Sequence, residues 1–199
     1  MKSPRNRERD SEGASIGVAD HAGWAVLVTV AGDGKVLDSR RVELVDADLP
    51  VMPHHHNAKA LPLEQALDLV ERVRLSADRH ATRALDAVAS AVASPIRSVA
   101  MRICPPLPAT VAERLQNYRA QNVADWVMYR MAIAAAAQSR GWSVHWYDAK
   151  TVIGAVCEAL RVKNLDRYFF EARQAFGPPW ARDHKVAAAA AIYATFNKG

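Results

Sequence analysis

Two aspartates far apart in the chain occupy settings that suit chemistry. Asp20 closes the apolar run Ile16-Gly17-Val18-Ala19 and is followed by His21-Ala22-Gly23, where glycine permits a tight turn. Asp183 opens the run His184-Lys185-Val186, which leads into alanines over 187–191. An acid at a strand end and an acid in the first turn of a helix can together hold a divalent cation. Each also has a plainer use, Asp20 as a turn-forming side chain and Asp183 as an acid favoured by the helix dipole. His184, whose ordinary pKa is close to neutrality, could act as an acid or base beside Asp183, or could cover a hydrophobic edge. Glu64 falls in the first turn of a helix that Pro62 can open, and the dipole alone explains an acid there. His54-His55-His56 lies in a loop. If that loop is extended, alternate imidazoles point to one side, and His54 and His56 could share a metal ion or a phosphate; a solvated loop is the plainer alternative. Arg102 and Lys150 end runs that read as strands, where ligands of open α/β sheets gather, so both could bind phosphate or carboxylate, or could be simple surface charges.

These residues must be positioned by elements that the sequence marks in order. Strands are expected at 15–20, 24–30 and about 35–45, the last after Gly32-Asp33-Gly34, a hairpin signal. A loop over 46–60 follows. Leu63, Leu67, Val70, Ala77, Ala81, Leu85, Val88 and Val92 recur at helical spacing until Pro95. Val99, Met101 and Ile103 alternate as a fourth strand, ended by Cys104-Pro105-Pro106. Residues 109–140 read as helix, interrupted near Asn122 and ended by Gly141, with Trp126, Tyr129 and Ile133 on one stripe. The span from Tyr118 to Arg130 mixes aromatic, basic and amide groups and could instead be a base-stacking surface. A fifth strand at 143–148, helices from Thr151 to about Val162 and from Asn164 or Asp166 to Phe176, and a last helix from about Trp180 to Phe196 complete the chain.

Composition narrows the class. With 199 residues, 50% of them hydrophobic and 24% charged, the chain can bury one well-covered core, so a single domain over 14–199 is expected, preceded by a disordered polar tail at 1–13. No apolar stretch is long enough for a membrane span, and the N-terminus lacks a signal peptide's apolar centre, so the expected location is cytoplasmic. Cys104 and Cys157 belong to no metal-ligand spacing and are expected as buried free thiols. The net charge of +5 is uneven: residues 1–95 carry 12 Lys and Arg against 14 Asp and Glu, and residues 96–199 carry 14 against 7. A basic half can attract phosphate-bearing ligands, although a solvated basic face gives the same composition.

The order of three meandering strands, a long helix, a strand, a helix, a strand and closing helices resembles the ribonuclease-H-like fold across residues 14 to 197. Within it, the chain looks most like the branch of the Holliday-junction resolvases. The pattern Gly17-Val18-Ala19-Asp20-His21-Ala22-Gly23-Trp24-Ala25-Val26 is similar to that branch's first strand, its terminal Asp and its glycine turn. Asp183-His184-Lys185-Val186-Ala187-Ala188-Ala189 is similar to its last helix, and Ala149-Lys150 to its small residue-Lys pair. The resemblance implies an α/β architecture: a five-stranded mixed sheet, with a three-strand antiparallel meander and two parallel strands, flanked by helices. It also implies acidic side chains that hold Mg²⁺ or Mn²⁺ for phosphodiester hydrolysis. Asp20, Glu64 and Asp183 then serve as ligands and catalytic groups, with His184 or the His54 and His56 pair assisting. Two positions depart from the pattern: the fourth strand ends in Arg102 and Cys104 where a carboxylate is expected, and Val186 replaces a second acid on the last helix.

Three functional readings follow. The first is a divergent metal-dependent nuclease acting on nucleic acid. The second is a non-catalytic nucleic-acid or phosphate-ligand binding module in which Arg102, Lys150 and the basic half grip phosphate. The third is an assembly protein, for which a homodimer is one form, with a partner over Trp126, Tyr129 and the aromatic region 168–180.

Overall fold

The computed structural model describes residues 13–196. The expected tail, apart from Gly13, therefore lies outside the described residues. Strand β1 (Ala14–Asp20) pairs antiparallel with β2 (Trp24–Ala31), which pairs antiparallel with β3 (Val36–Glu43). On its other side β1 runs parallel to β4 (Ile96–Arg102), and β4 parallel to β5 (Ser143–Tyr147), giving the sheet order β3-β2-β1-β4-β5. The first strand is thus central, and all seven of its residues are buried.

Successive strand residues face opposite sides of a sheet, and here each side is covered by a different set of helices. Ile16, Val18, Val99 and Met101 pack under the long helix α1 (Leu63–Ala91) and α3 (Tyr118–Gln138), with Val73, Ala77, Leu85, Tyr129 and Ile133. Ala19 and Ala100 face the other layer, made of α4 (Val152–Leu160), α5 (Asp166–Phe176) and α6 (Arg182–Phe196). Gly17 permits the closest approach between sheet and helix. A Cβ there would fall inside the van der Waals shell of the Ala187 carbonyl oxygen and 2.5 Å from the Ala191 nitrogen, so no larger residue lets α6 lie this close to β1.

The helix break lies at Asn117, not near Asn122. Thr110 and Glu113 form a capping box that starts α2 (Val111–Gln116), and the Asn117 side chain accepts from the Ala120 N–H to start α3. Asn122 sits inside α3, where its amide donates to the Tyr118 carbonyl. The last helix begins at Arg182, two residues after Trp180, and β3 ends at Glu43. Trp126 does not join the buried stripe: Tyr129 and Ile133 are buried, whereas Trp126 is 44% exposed. Both cysteines are free and half-buried. Among the described residues, no helix is long and apolar enough to cross a membrane.

Candidate functional site

Asp20 shares the strand parity of Ile16 and Val18 and lies at the end of β1 against α3. It is 2% exposed, and its partner there is Arg130. Arg130 Nε and Nη2 both donate to Asp20 Oδ2, at 3.1 and 2.8 Å, while Nη1 donates to the Ile103 carbonyl at 2.6 Å. Burial works against the Arg130 charge, but the hydrogen bond and charge of Asp20 outweigh it and raise the guanidinium pKa above its ordinary value.

Arg102 ends β4 with the parity of Ala100, on the side that faces α6. Its Nη1 donates to the Asp20 carbonyl oxygen at 3.1 Å, its Nε lies 3.9 Å from Asp20 Oδ1, and its Nη2 lies 3.8 Å from Asp183 Oδ1. Asp183, in the first turn of α6, is reached from its other side by His21 Nε2 at 3.1 Å. The His21 ring is stacked on Trp24, centroids 4.1 Å apart, and Arg41 lies over the same indole. Tyr147, at the end of β5, donates to the Val18 carbonyl at 2.6 Å; burial pushes its phenol pKa above the ordinary value.

The fold therefore brings Asp20 and Asp183 to one end of the sheet, with Arg102 between them. This arrangement does not fit the divalent ion that the resemblance implies. Asp20 Oδ2 is taken by a buried guanidinium, and Asp20 Oδ1 and Arg102 Nε, 3.9 Å apart, are both buried without a hydrogen-bond partner among the described residues. A dication placed there would meet two fixed positive charges in a poorly solvated setting. Among the described residues, no three His, Cys, Asp or Glu side chains are grouped as a metal site requires. The expected ligand set of Asp20, Glu64, Asp183, His54 and His56 does not assemble.

Each remaining candidate has a definite place. Glu64 is exposed in the first turn of α1 and makes no hydrogen bond to either aspartate. The histidine run is not extended: Pro53–Asn57 form a single wide helical turn. That turn separates the rings, so His54 is buried and His56 exposed, stacked on His55 with centroids 4.4 Å apart. His54 Nδ1 bonds Asp125 Oδ1, on α3, at 2.8 Å. His184 packs beside Trp180 and Asp183, and burial lowers its pKa, partly countered by the Asp183 charge. Lys150 is exposed on the wall of a cavity of about 440 Å³, together with Arg182, Lys185 and Trp180.

Two contributors escape sequence reasoning. Arg130 stands 110 positions from Asp20 and reads as one more cation in the mixed segment of α3. His21 reads as a turn residue, yet it holds Asp183.

No family model matches the chain, and no curated relative matches it. Among solved structures, it is similar to T. thermophilus RuvC in complex with a Holliday junction substrate. That protein is 16% identical, with 94% of this chain and 98% of that chain covered and a TM-score of 0.51. A second Thermus thermophilus RuvC structure is 14% identical over 92% of this chain and 94% of that chain, with a TM-score of 0.46. The ethanolamine utilization protein EutJ from Carboxydothermus hydrogenoformans is 15% identical over 75% of this chain and 40% of that chain, with a TM-score of 0.31. The first likeness, taken with the sheet order, shows the fold alone: from β1 to α6 the chain has the ribonuclease-H-like fold.

Proposed function

We propose that this protein binds the phosphate backbone of nucleic acid without a metal ion and without cleaving it. The observation that carries this reading is the cavity lined by Lys150, Arg182 and Lys185, with no carboxylate among the described residues of its wall. Arg182 and Lys185 lie in the first turn of α6, where the helix dipole adds to their positive potential. Lys185 Nζ also lies 5.5 Å from the Phe169 ring centroid. Three cations around one concave surface repel one another, and a phosphate group relieves that repulsion. Two further points support the reading. The positive excess of the chain lies in its second half. At Asp20, moreover, Arg130 and Arg102 already supply the positive charge that a nuclease of the resembled branch draws from metal.

The RuvC structure with the TM-score of 0.51 holds a Holliday junction substrate, which makes a four-way DNA junction a suitable test ligand. Anisotropy titrations of a labelled junction and of a duplex of equal length, over a series of salt concentrations, test the proposal. Binding is expected to weaken steeply with salt and to be unchanged by a chelator, with the DNA recovered intact. Lys150→Ala and Lys185→Ala should each reduce the slope of log affinity against log salt by about 0.9, the release of roughly one counterion per phosphate contact. Cleavage that requires Mg²⁺ or Mn²⁺, or no binding of either DNA at low salt, would overturn it.

A further inference from the structure

Asp125 makes an arrangement that phosphate binding leaves unused. Its carboxylate is fully buried on α3 and accepts three hydrogen bonds from the 53–57 turn. Oδ1 accepts from the His54 backbone N–H at 3.0 Å and pairs with His54 Nδ1 at 2.8 Å, and Oδ2 accepts from the His55 backbone N–H at 3.1 Å. An ionised carboxylate can only accept, so Nδ1 carries a proton. In the neutral ring, Nε2 is then a lone-pair nitrogen of fixed direction. His54 is 1% exposed, and its Nε2 has no hydrogen-bond partner among the described residues. Buried polar atoms are nearly always paired, so an unpaired acceptor held this firmly marks the place of a missing donor.

His54 forms part of the wall of an open cleft of about 480 Å³ between α1, α2 and α3. That volume falls within the range of roughly 300 to 1,000 Å³ typical of small-molecule sites. Val70, Val127, Met128, Met131 and Ala132 make the wall largely apolar. The two methionines, unbranched and flexible, can shift to admit a ligand as far as the imidazole. Arg74, Asp78 and Arg114 also line the cavity. Arg74 is neutralised by Glu71 and Asp78. Arg114 donates to the Pro108 and Ala109 carbonyls and forms no ion pair among the described residues; the neighbouring Glu113 carboxylate feels its charge but is engaged by Thr110, so Arg114 is less compensated than Arg74.

We infer that this cavity is a binding site for a small organic monoanion with an apolar body and an O–H or N–H group. The donor is received by His54 Nε2, the body lies among α1, α2 and α3, and the anion faces Arg114. The site shares no residue with the Lys150, Arg182 and Lys185 cavity, so either proposal can fail without the other.

Calorimetric titration of the full chain tests it with two probes: a biphenyl carboxylate carrying a hydroxyl at the far end, and the same molecule without the hydroxyl. The hydroxylated probe should bind roughly tenfold more tightly, the net value of one hydrogen bond to a buried acceptor. His54→Phe should abolish that discrimination and leave the affinity for the plain probe within about twofold, because the apolar contacts remain. Arg114→Gln should weaken both probes alike, by roughly fivefold. Because His54→Phe removes a partner of Asp125 and could impair folding, nitrogen NMR of the unaltered protein gives a second reading: saturation with the hydroxylated probe should shift His54 Nε2, and the plain probe should not. Equal affinities for the two probes, an unmoved Nε2 resonance, or no binding of either at millimolar concentration would overturn the inference. So would self-association that excludes both probes, since Met131 is 47% exposed at this cavity and a second copy of the chain would then be its occupant.

Discussion

Asp20 and Asp125 are both buried carboxylates that meet α3, yet the fold satisfies them in opposite ways. Asp20 receives the forked guanidinium of Arg130, and Arg102 approaches from the other layer. Asp125 receives two backbone N–H groups and one imidazole. An arginine does not lose its charge at any accessible pH, so the Asp20 end of the sheet is permanently neutralised. An imidazole held by a carboxylate keeps its second nitrogen free for another partner. The difference teaches that the strand end where the fold resemblance locates chemistry is locked, whereas the histidine turn presents an open hydrogen-bonding group.

The sharpest way to break this comparison is to remove a single charge from the locked end. Arg130→Met leaves Asp20 buried opposite an apolar side chain. The expected loss is about 3–5 kcal/mol of unfolding free energy at neutral pH, because breaking one partner of a buried pair strands the other charge. In the double variant Asp20→Leu/Arg130→Met, both charges are absent, and stability should return to within about 1–2 kcal/mol of the original, since an apolar replacement of a buried pair is close to neutral. Urea unfolding of the three proteins measures the coupling. A loss below about 1 kcal/mol for Arg130→Met would mean that Asp20 finds water or another donor, and the locked description would fail. Asp125→Asn should have a smaller effect, about 1–2 kcal/mol, because the amide keeps one oxygen as acceptor and no guanidinium is stranded.

Much of the fold is legible in the residues. The apolar run of β1, the alternation in β4, the helical spacing from Val70 to Val88, the Asp33-Gly34 turn and the alanine stripe of α6 each report a local geometry that their neighbours reinforce. The strand-ending Asp20 and helix-opening Asp183 are likewise visible, and Arg102 can be seen to stand where a carboxylate belongs. The Thr110 and Glu113 capping box is also readable and marks the start of α2, and Asn117, a residue type suited to an N-cap, marks the break in place of Asn122. What remains hidden is which side chain meets which across long separations. Arg130 reaches Asp20 over 110 positions and Asp125 reaches His54 over 71, and no local pattern encodes either pairing. The histidine run misleads for a related reason. His54 and His56 would share a face only in an extended chain, but Asp125 draws the backbone N–H groups of His54 and His55 onto one carboxylate and winds the segment into a turn.

The smallest expected effect sharpens the same comparison, because it separates permanent charge from titratable charge near Asp183. Burial beside Trp180 lowers the pKa of His184 below its ordinary 6.5, and the neighbouring Asp183 only partly opposes the shift. The unfolded chain therefore takes up a proton at a higher pH than the folded protein does. The stabilisation from a neutral His184 is complete above the ordinary value, declines as the pH falls through it, and stops declining below the depressed folded value. His145 is lowered by burial in the same sense and adds a similar dependence at β5, so it serves as the control. His184→Gln should flatten the fall in unfolding free energy between neutral and mildly acidic solution, and His145→Gln should flatten the remainder independently, as expected for sites without shared partners. Proton NMR titration of the His184 ring checks the premise directly. A midpoint at or above the ordinary value would show that Asp183 outweighs burial, and the slope would then reverse. In that event Asp183, pulled on by His21, Arg102 and a protonated His184 together, would be as thoroughly neutralised as Asp20.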